Sequence, residues 1–389
     1  MVSLGIEELL SAPPEGFAGS RLGLLCNQAS TDSRLRHSRD LITSRFPGRL
    51  TCLFTPQHGF FSEKQDNMIE SEHGRDPAGG LPLFSLYSRE RRPTAEMFDL
   101  FDLLVIDLFD VGTRVYTFLS TMAYCLETAA AFGKKVLVLD RPNPVGGDLV
   151  EGNIIERDCY SFVGLYPIPM RHGLTFGELA LLINRHFGVG ADLEVVPMQG
   201  WRRSMLFDDT GLPWVFPSPN MPSPLSALVY PGQVIWEGTN ISEGRGTCLP
   251  FEIFGAPFIT PDAVLARIRG TAIPGCFLRP LLFEPTANKW QGRACRGFQL
   301  HVTDAPLFRP YRTSLVLLQA VMELYPEAFA YKEPPYEYEY ERLPLDLIVG
   351  SREVRQALEK GAGILELERS WQNGLDSFEK LRRDVLLYN

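Results

Sequence analysis

Long uncharged apolar runs are missing from this sequence. None nears the roughly 18 residues of a membrane helix. Glu7, Glu8 and the Pro13-Pro14 pair break any leader-like pattern at the start. The expectation is a cytoplasmic protein without membrane contact. A basic excess is missing too: 38 Lys+Arg stand against 47 Asp+Glu, a formal charge of −9. Phosphate backbones need a basic face, so nucleic acid is not an expected partner. The seven cysteines are odd in number, widely spaced and free of any CxxC pair. That argues against a disulfide framework and a zinc ribbon. Several, such as Cys52 in Thr51-Cys52-Leu53-Phe54, read as small buried hydrophobes. Six histidines lie far apart with no HExxH, so no metal is expected. GxGxxG, GxxxxGK[ST] and GxSxG are also absent, which removes the usual signatures of NAD, ATP and a serine nucleophile. No cofactor is expected.

What is there fits a globular protein. The 389 residues suit about two domains of roughly 100–200 residues each. Hydrophobic residues at 45% can fill a sizeable core. Continuous apolar runs at Leu22–Cys26, Leu50–Thr55, Leu103–Ile106 and Val136–Leu139, and a last strand at Leu193–Pro197, alternate with helical stretches around 33–44, 116–132 and 175–187. Such runs predict parallel strands buried on both faces. Thr175 with Glu178 three residues on predicts a capping box, and Gly133 a helix C-cap. The fold class expected is α/β: a Rossmann-like, doubly wound parallel sheet over residues 1–230, then a smaller α/β or α+β domain over 231–389. The proline-rich stretch 217–231 reads as an ordered loop crossing between the two. Lys332–Tyr340, rich in Tyr, Glu and Pro, reads as an extended surface segment.

Open parallel sheets bind ligands outside the carboxyl ends of their strands. Four strand ends carry polar clusters: Asn27-Gln28, Gln57-His58, Asp107 with Asp110, and Asp140-Arg141 with Asn143. Asp107 and Arg114 can pair to shape their loop, with Tyr116 beside them. His58 brings an imidazole and Glu63 a carboxylate. Arg171-His172 stands before the capped helix, whose N-terminus suits an anion; Glu178 itself reads as a cap. Asn220 lies in the proline-rich stretch. Glu237, Asn240, Glu243 and Arg245 form the densest polar cluster, among glycines that let backbone approach a ligand. Carboxylates, amides, a guanidinium and plentiful aromatics, 13 Tyr and 5 Trp, suit the hydroxyls and flat faces of a sugar.

Several segments occur in a familiar order: Pro56-Gln57-His58-Gly59-Phe60, Ser85-Leu86-Tyr87, Asp110-Val111-Gly112-Thr113-Arg114, Leu139-Asp140-Arg141-Pro142-Asn143-Pro144, Arg171-His172-Gly173, Pro217-Ser218-Pro219-Asn220-Met221-Pro222 and Glu237-Gly238-Thr239-Asn240 with Gly244-Arg245-Gly246-Thr247. The series resembles the bacterial exo-β-N-acetylmuramidase family from about Leu4 to the end. The resemblance implies a cleft between a Rossmann-like domain and a smaller domain, and release of terminal N-acetylmuramic acid from peptidoglycan fragments. The lactyl carboxylate of that sugar would favour Arg114, Arg171 or Arg245. Many relatives read Pro-Glu-His-Gly where this chain has Gln57, and an amide cannot donate a proton as an acid. Glu63 is then a candidate acid, with Asp110, Glu237 or Glu243 orienting water or stabilising charge. The other reading is a binder of muropeptides or another acidic amino sugar that does not cleave.

Overall fold

The apolar runs form strands whose side chains alternate between two cores. The computed structural model describes every residue, Met1–Asn389. The first half carries β1 Leu22–Cys26, β2 Leu50–Thr55, β3 Gly74–Arg75, β4 Pro82–Ser85, β5 Leu103–Asp107, β6 Lys135–Leu139, β7 Glu151–Ile154, β8 Pro169–Arg171 and β9 Asp192–Val196. Seven strands make one sheet in the order β3-β4-β2-β1-β5-β6-β9. All neighbours run parallel except the short edge strand β3. Successive strand residues point to opposite faces. Leu22, Leu24, Leu103, Val105, Leu137 and Leu139 therefore join Ile6, Leu9 and Ile42 of the helices Gly5–Ser11 and Ser38–Arg45. Leu25, Leu104, Ile106, Val136 and Val138 join Met122, Leu126, Leu179 and Leu182 of the helices Phe118–Phe132 and Phe176–His186. This is the doubly wound arrangement expected. The capping box at Thr175 and Glu178 forms, and Gly133 closes its helix in the left-handed region at φ 60°.

The smaller sheet joins β10 Ile253–Ala256, β11 Cys276–Phe283 and β12 Cys295–Val302, all antiparallel, in the order β10-β12-β11. The helix Pro261–Arg267 packs on β12 and on the long helix Pro310–Leu324. Between the halves the hydrophobic interior does not break. A single core cluster of 71 buried residues runs from Leu25 to Val385. The chain end returns to the first half: Leu387 N–H donates to Glu178 Oε1 at 2.9 Å, and the Tyr388 hydroxyl to Asp140 Oδ2 at 2.6 Å.

Two expectations hold only in part. The stretch 217–231 is not loop throughout; Pro224–Gln233 is a helix capped by Ser223. Pro224 occupies the first turn, where a missing N–H costs nothing, and Pro231 falls in the last turn. Gly232 lets this helix meet the helix Pro310–Leu324 closely, since a Cβ there would stand 2.0 Å from the Pro310 carbonyl oxygen. The 3₁₀ turn Val234–Gly238 follows and carries Glu237 inward. Second, Lys332–Tyr340 is a surface segment only in part: Glu333, Pro335 and Tyr340 are exposed, but Tyr336 and Glu337 are buried.

Candidate functional site

A polar pocket opens beyond the carboxyl ends of β2 and β5. It is lined by Gln57, His58, Asn67, Tyr116, Thr117, Ser218, Asn220, Tyr230, Glu237, Arg245, Tyr336 and Glu337, among others. Gln57 and His58 come from the β2 end, Tyr116 and Thr117 from the loop after β5. Glu237 and Arg245 follow the proline-bearing helix, and Tyr336-Glu337 come from near the chain end. The last pair sits in a tight turn. Tyr336 and Glu339 exchange two backbone hydrogen bonds of 2.9 Å, and the central residues Glu337 and Tyr338 have φ 48° and 66°. Positive φ at both central positions is the requirement of a type I′ turn, normally met by Asn and Gly. A side chain there costs about 1–2 kcal/mol per residue, and such strain concentrates at functional sites.

Two carboxylates in this pocket have opposite surroundings. Glu237 Oε1 accepts from Arg245 at 2.6 Å, and its Oε2 accepts from Tyr336 at 2.7 Å and Asn67 at 3.3 Å. Burial works to raise the Glu237 carboxyl, but the Arg245 guanidinium outweighs it and holds the group below its ordinary value. Arg245 also meets Glu243 at 3.2 Å, while Lys289 caps Glu243 at 2.8 Å. Glu337 meets only neutral donors: Gln57 Nε2 at 3.0 Å on Oε1 and the Tyr87 hydroxyl at 2.5 Å on Oε2. Burial pushes Glu337 up to about 7, against the bonds from Tyr87 and Gln57 and with help from the Glu237 charge. Thr117 donates to Gln57 Oε1 at 2.5 Å, which turns the Gln57 amide nitrogen towards Glu337. His58 faces Lys64 O through Nδ1 at 2.7 Å. A carbonyl only accepts, so Nδ1 carries the proton and Nε2 is an acceptor. Burial pushes this imidazole down to about 4, so it is neutral at ordinary pH.

The residues singled out from the sequence divide sharply. Gln57, His58, Tyr116, Asn220, Glu237 and Arg245 come together in the pocket, and Glu243 lines a recess that shares Asn67, Glu237 and Arg245 with it. Glu63 does not: it is exposed, and its Oε2 accepts from Phe61 N–H of its own loop at 3.2 Å. Arg114 donates to the carbonyls of Asn153, Ile168, Ile348 and Val349, a buried clamp between the halves. Asp107 pairs with Arg141 at 2.5 Å, not with Arg114. Asp140 accepts from Thr175 Oγ1 and Gly177 N–H, each at 2.7 Å, so the helix N-terminus offered to an anion is already filled by this carboxylate. Asn27, Asn143 and Asn240 each hold a backbone carbonyl, of Pro217, Leu174 and Ala328. Asp110 accepts from Gly112 N–H at 2.7 Å and stands 3.6 Å from His172, away from the pocket lining. Arg171 donates to Val145 O and lines a different cavity. Asn67, Thr117, Tyr230, Tyr336 and Glu337 are pocket residues that the sequence patterns did not mark.

A pocket at the strand ends of a doubly wound sheet, lined by carboxylates and tyrosines, has the chemistry to hold a small polyhydroxy ligand. Two family models described as "Exo-beta-N-acetylmuramidase NamZ", N-terminal and C-terminal, match residues 22–225 and 228–388. The chain belongs to this family. It is 42% identical over 389 residues to the peptidoglycan beta-N-acetylmuramidase NamZ of Bacillus subtilis (strain 168), covering 100% of this chain and 91% of that protein. Two solved structures of DUF1343 family proteins from Bacteroides fragilis NCTC 9343 share the fold. One has a TM-score of 0.90 at 32% identity, the other 0.74 at 26%, and each pairing covers 100% of this chain and 99% of the other.

Proposed function

We propose that this chain is a glycoside hydrolase that releases terminal N-acetylmuramic acid from peptidoglycan fragments, with the glycosidic bond at Gln57 and Glu337 and the sugar ring towards Glu237 and Arg245. The observation that carries the reading is the meeting, in one pocket, of a carboxylate held ionised and a carboxyl raised towards neutrality. That contrast is what splits acid from charge-stabilising roles in glycoside hydrolysis. The space within this lining, about 30 Å³, has room for a water or two. The adjoining recess of about 280 Å³ approaches the size of small-molecule sites and is the place for the sugar ring. A wider groove of about 740 Å³ meets the pocket at Asn220 and suits the departing part of the glycan. Arg245 keeps Nη1 without a hydrogen-bond partner, and Lys332 lines the same recess. Together they suit the lactyl carboxylate that distinguishes muramic acid from glucosamine.

The test is turnover of a chromogenic N-acetyl-β-muramide by the pure protein, with calorimetric binding in parallel. Release of the chromophore is expected. Binding without release would favour the non-cleaving alternative that Gln57 motivates; neither binding nor release would overturn both.

A further inference from the structure

We propose that Glu337 is the proton donor to the departing glycosidic oxygen. This rests on the reading that the pocket hydrolyses a glycoside, and goes beyond it by naming the acid.

The carboxyls in reach of the pocket can be compared one by one. Glu237 is bound to Arg245, and Glu243 to Arg245 and Lys289. Asp66 and Glu63 are exposed, and Asp110 lies off the lining. Glu337 alone is buried in the lining with no cation among its hydrogen-bond partners. Its backbone is also held where a side chain is costly, in the left-handed centre of the turn Tyr336–Glu339.

The donors around Glu337 leave room for a proton on one particular oxygen. The Tyr87 oxygen accepts from Gln57 Nε2 at 3.1 Å and from Met68 N–H at 3.0 Å. Both its lone pairs are used, so its own hydrogen goes to Glu337 Oε2. Oε1 receives only Gln57, and carries the acid proton. The charged and titratable groups facing Glu337 are Tyr87, Tyr230, Tyr336, Tyr338, Glu237 and Arg245. Burial raises all four phenols, so they stay neutral. The Glu237–Arg245 pair holds one charge of each sign.

The step balances as follows. The Oε1 proton passes to the glycosidic oxygen. The bond from that oxygen to the anomeric carbon breaks with its electron pair, giving a free alcohol and a Glu337 carboxylate. The positive charge left on the sugar faces the Glu237 carboxylate. Water adds at the anomeric carbon, and its spare proton returns through solvent to Glu337. No other reactant is consumed.

The experiment uses the full-length protein and two substrates. One is a disaccharide with N-acetylmuramic acid at its non-reducing end, whose sugar leaving group needs a proton. The other is 2,4-dinitrophenyl N-acetyl-β-muramide, whose leaving group does not. Glu337→Gln is expected to lose about 10²–10⁴-fold on the disaccharide while keeping the dinitrophenyl activity within about tenfold. The wild-type pH profile should fall above about 7 on the disaccharide and lack that limb on the dinitrophenyl substrate. This second readout needs no variant. Equal losses on both substrates, or an unchanged disaccharide rate, would overturn the assignment; so would identical pH profiles. Failure of the wild type to cleave either substrate would instead overturn the hydrolase reading itself.

Discussion

At the scale of single residues, spacing along the chain and proximity in space gave different partners. Asp107 and Arg114 are close in sequence, yet Asp107 pairs with Arg141 because β5 and β6 are neighbours and both side chains stand at the strand ends. Arg114 instead saturates backbone carbonyls from both halves. Glu337 was invisible for a related reason. A stretch of Tyr, Glu and Pro has the composition of a solvated loop, and only the long-range contacts to Gln57 and Tyr87 bury it. The Pro-Gln-His-Gly segment was legible as a polar cluster at a strand end. That cue did not separate it from Asn27, Asp107 and Asp140, which hold backbone or an ion pair at the other strand ends. Lys332 gives a prediction at this scale. Lys332→Ala should lower kcat/KM for an N-acetyl-β-muramide by about tenfold to a hundredfold, the worth of one charged hydrogen bond. It should leave binding of an N-acetyl-β-glucosaminide, which lacks the lactyl carboxylate, unchanged. An equal loss on both sugars would remove Lys332 from carboxylate recognition.

At the scale of elements, the strands were the most legible part. A strand covered on both faces reads as a near-continuous apolar run, and Leu22–Cys26 and Leu50–Thr55 begin and end where their runs do. Helix starts were less legible. The helix expected near residue 33 begins at Ser38, because Asp32 Oδ1 accepts from Arg34 and Arg36 N–H groups and holds that stretch as a turn. The helix Pro224–Gln233 was hidden by its prolines, whose positions in the first and last turns a composition cue does not distinguish. Its contact at Gly232 sets the direction of the following turn and hence of Glu237. Gly232→Ala puts a methyl group against the Pro310 carbonyl, and a cost of about 1–3 kcal/mol is expected. Thermal unfolding should show a lowered Tm, and glycosidase activity should fall with it. An unchanged Tm would mean that the two helices separate without penalty.

At the scale of the whole molecule, the site stands on a main core that both halves share. The family models divide the chain near residue 226, yet the main core cluster and the tail contacts of Leu387 and Tyr388 cross that line. This interior also buries carboxyls. Burial pushes Glu151 and Glu337 up to about 7 and Asp140 up to about 6. A carboxyl raised in the folded state binds its proton more tightly there than in the unfolded chain. Its contribution is therefore present below the unfolded value near 4 and is lost as pH climbs towards 7. Stability should decline across that window. Glu151, whose Oε2 has no hydrogen-bond partner, lies outside the pocket, so Glu151→Gln should flatten the decline without abolishing activity. Melting curves from pH 5 to pH 8 provide the check; a variant declining as steeply as the wild type would contradict it.

The most direct measurement of the central claim is a crystal structure of the Glu337→Gln protein soaked with the N-acetylmuramic acid disaccharide. The account predicts an intact sugar with its glycosidic oxygen against residue 337, its anomeric carbon facing Glu237 and its lactyl carboxylate between Arg245 and Lys332. A disaccharide bound elsewhere on the molecule, with this pocket vacant, would contradict it.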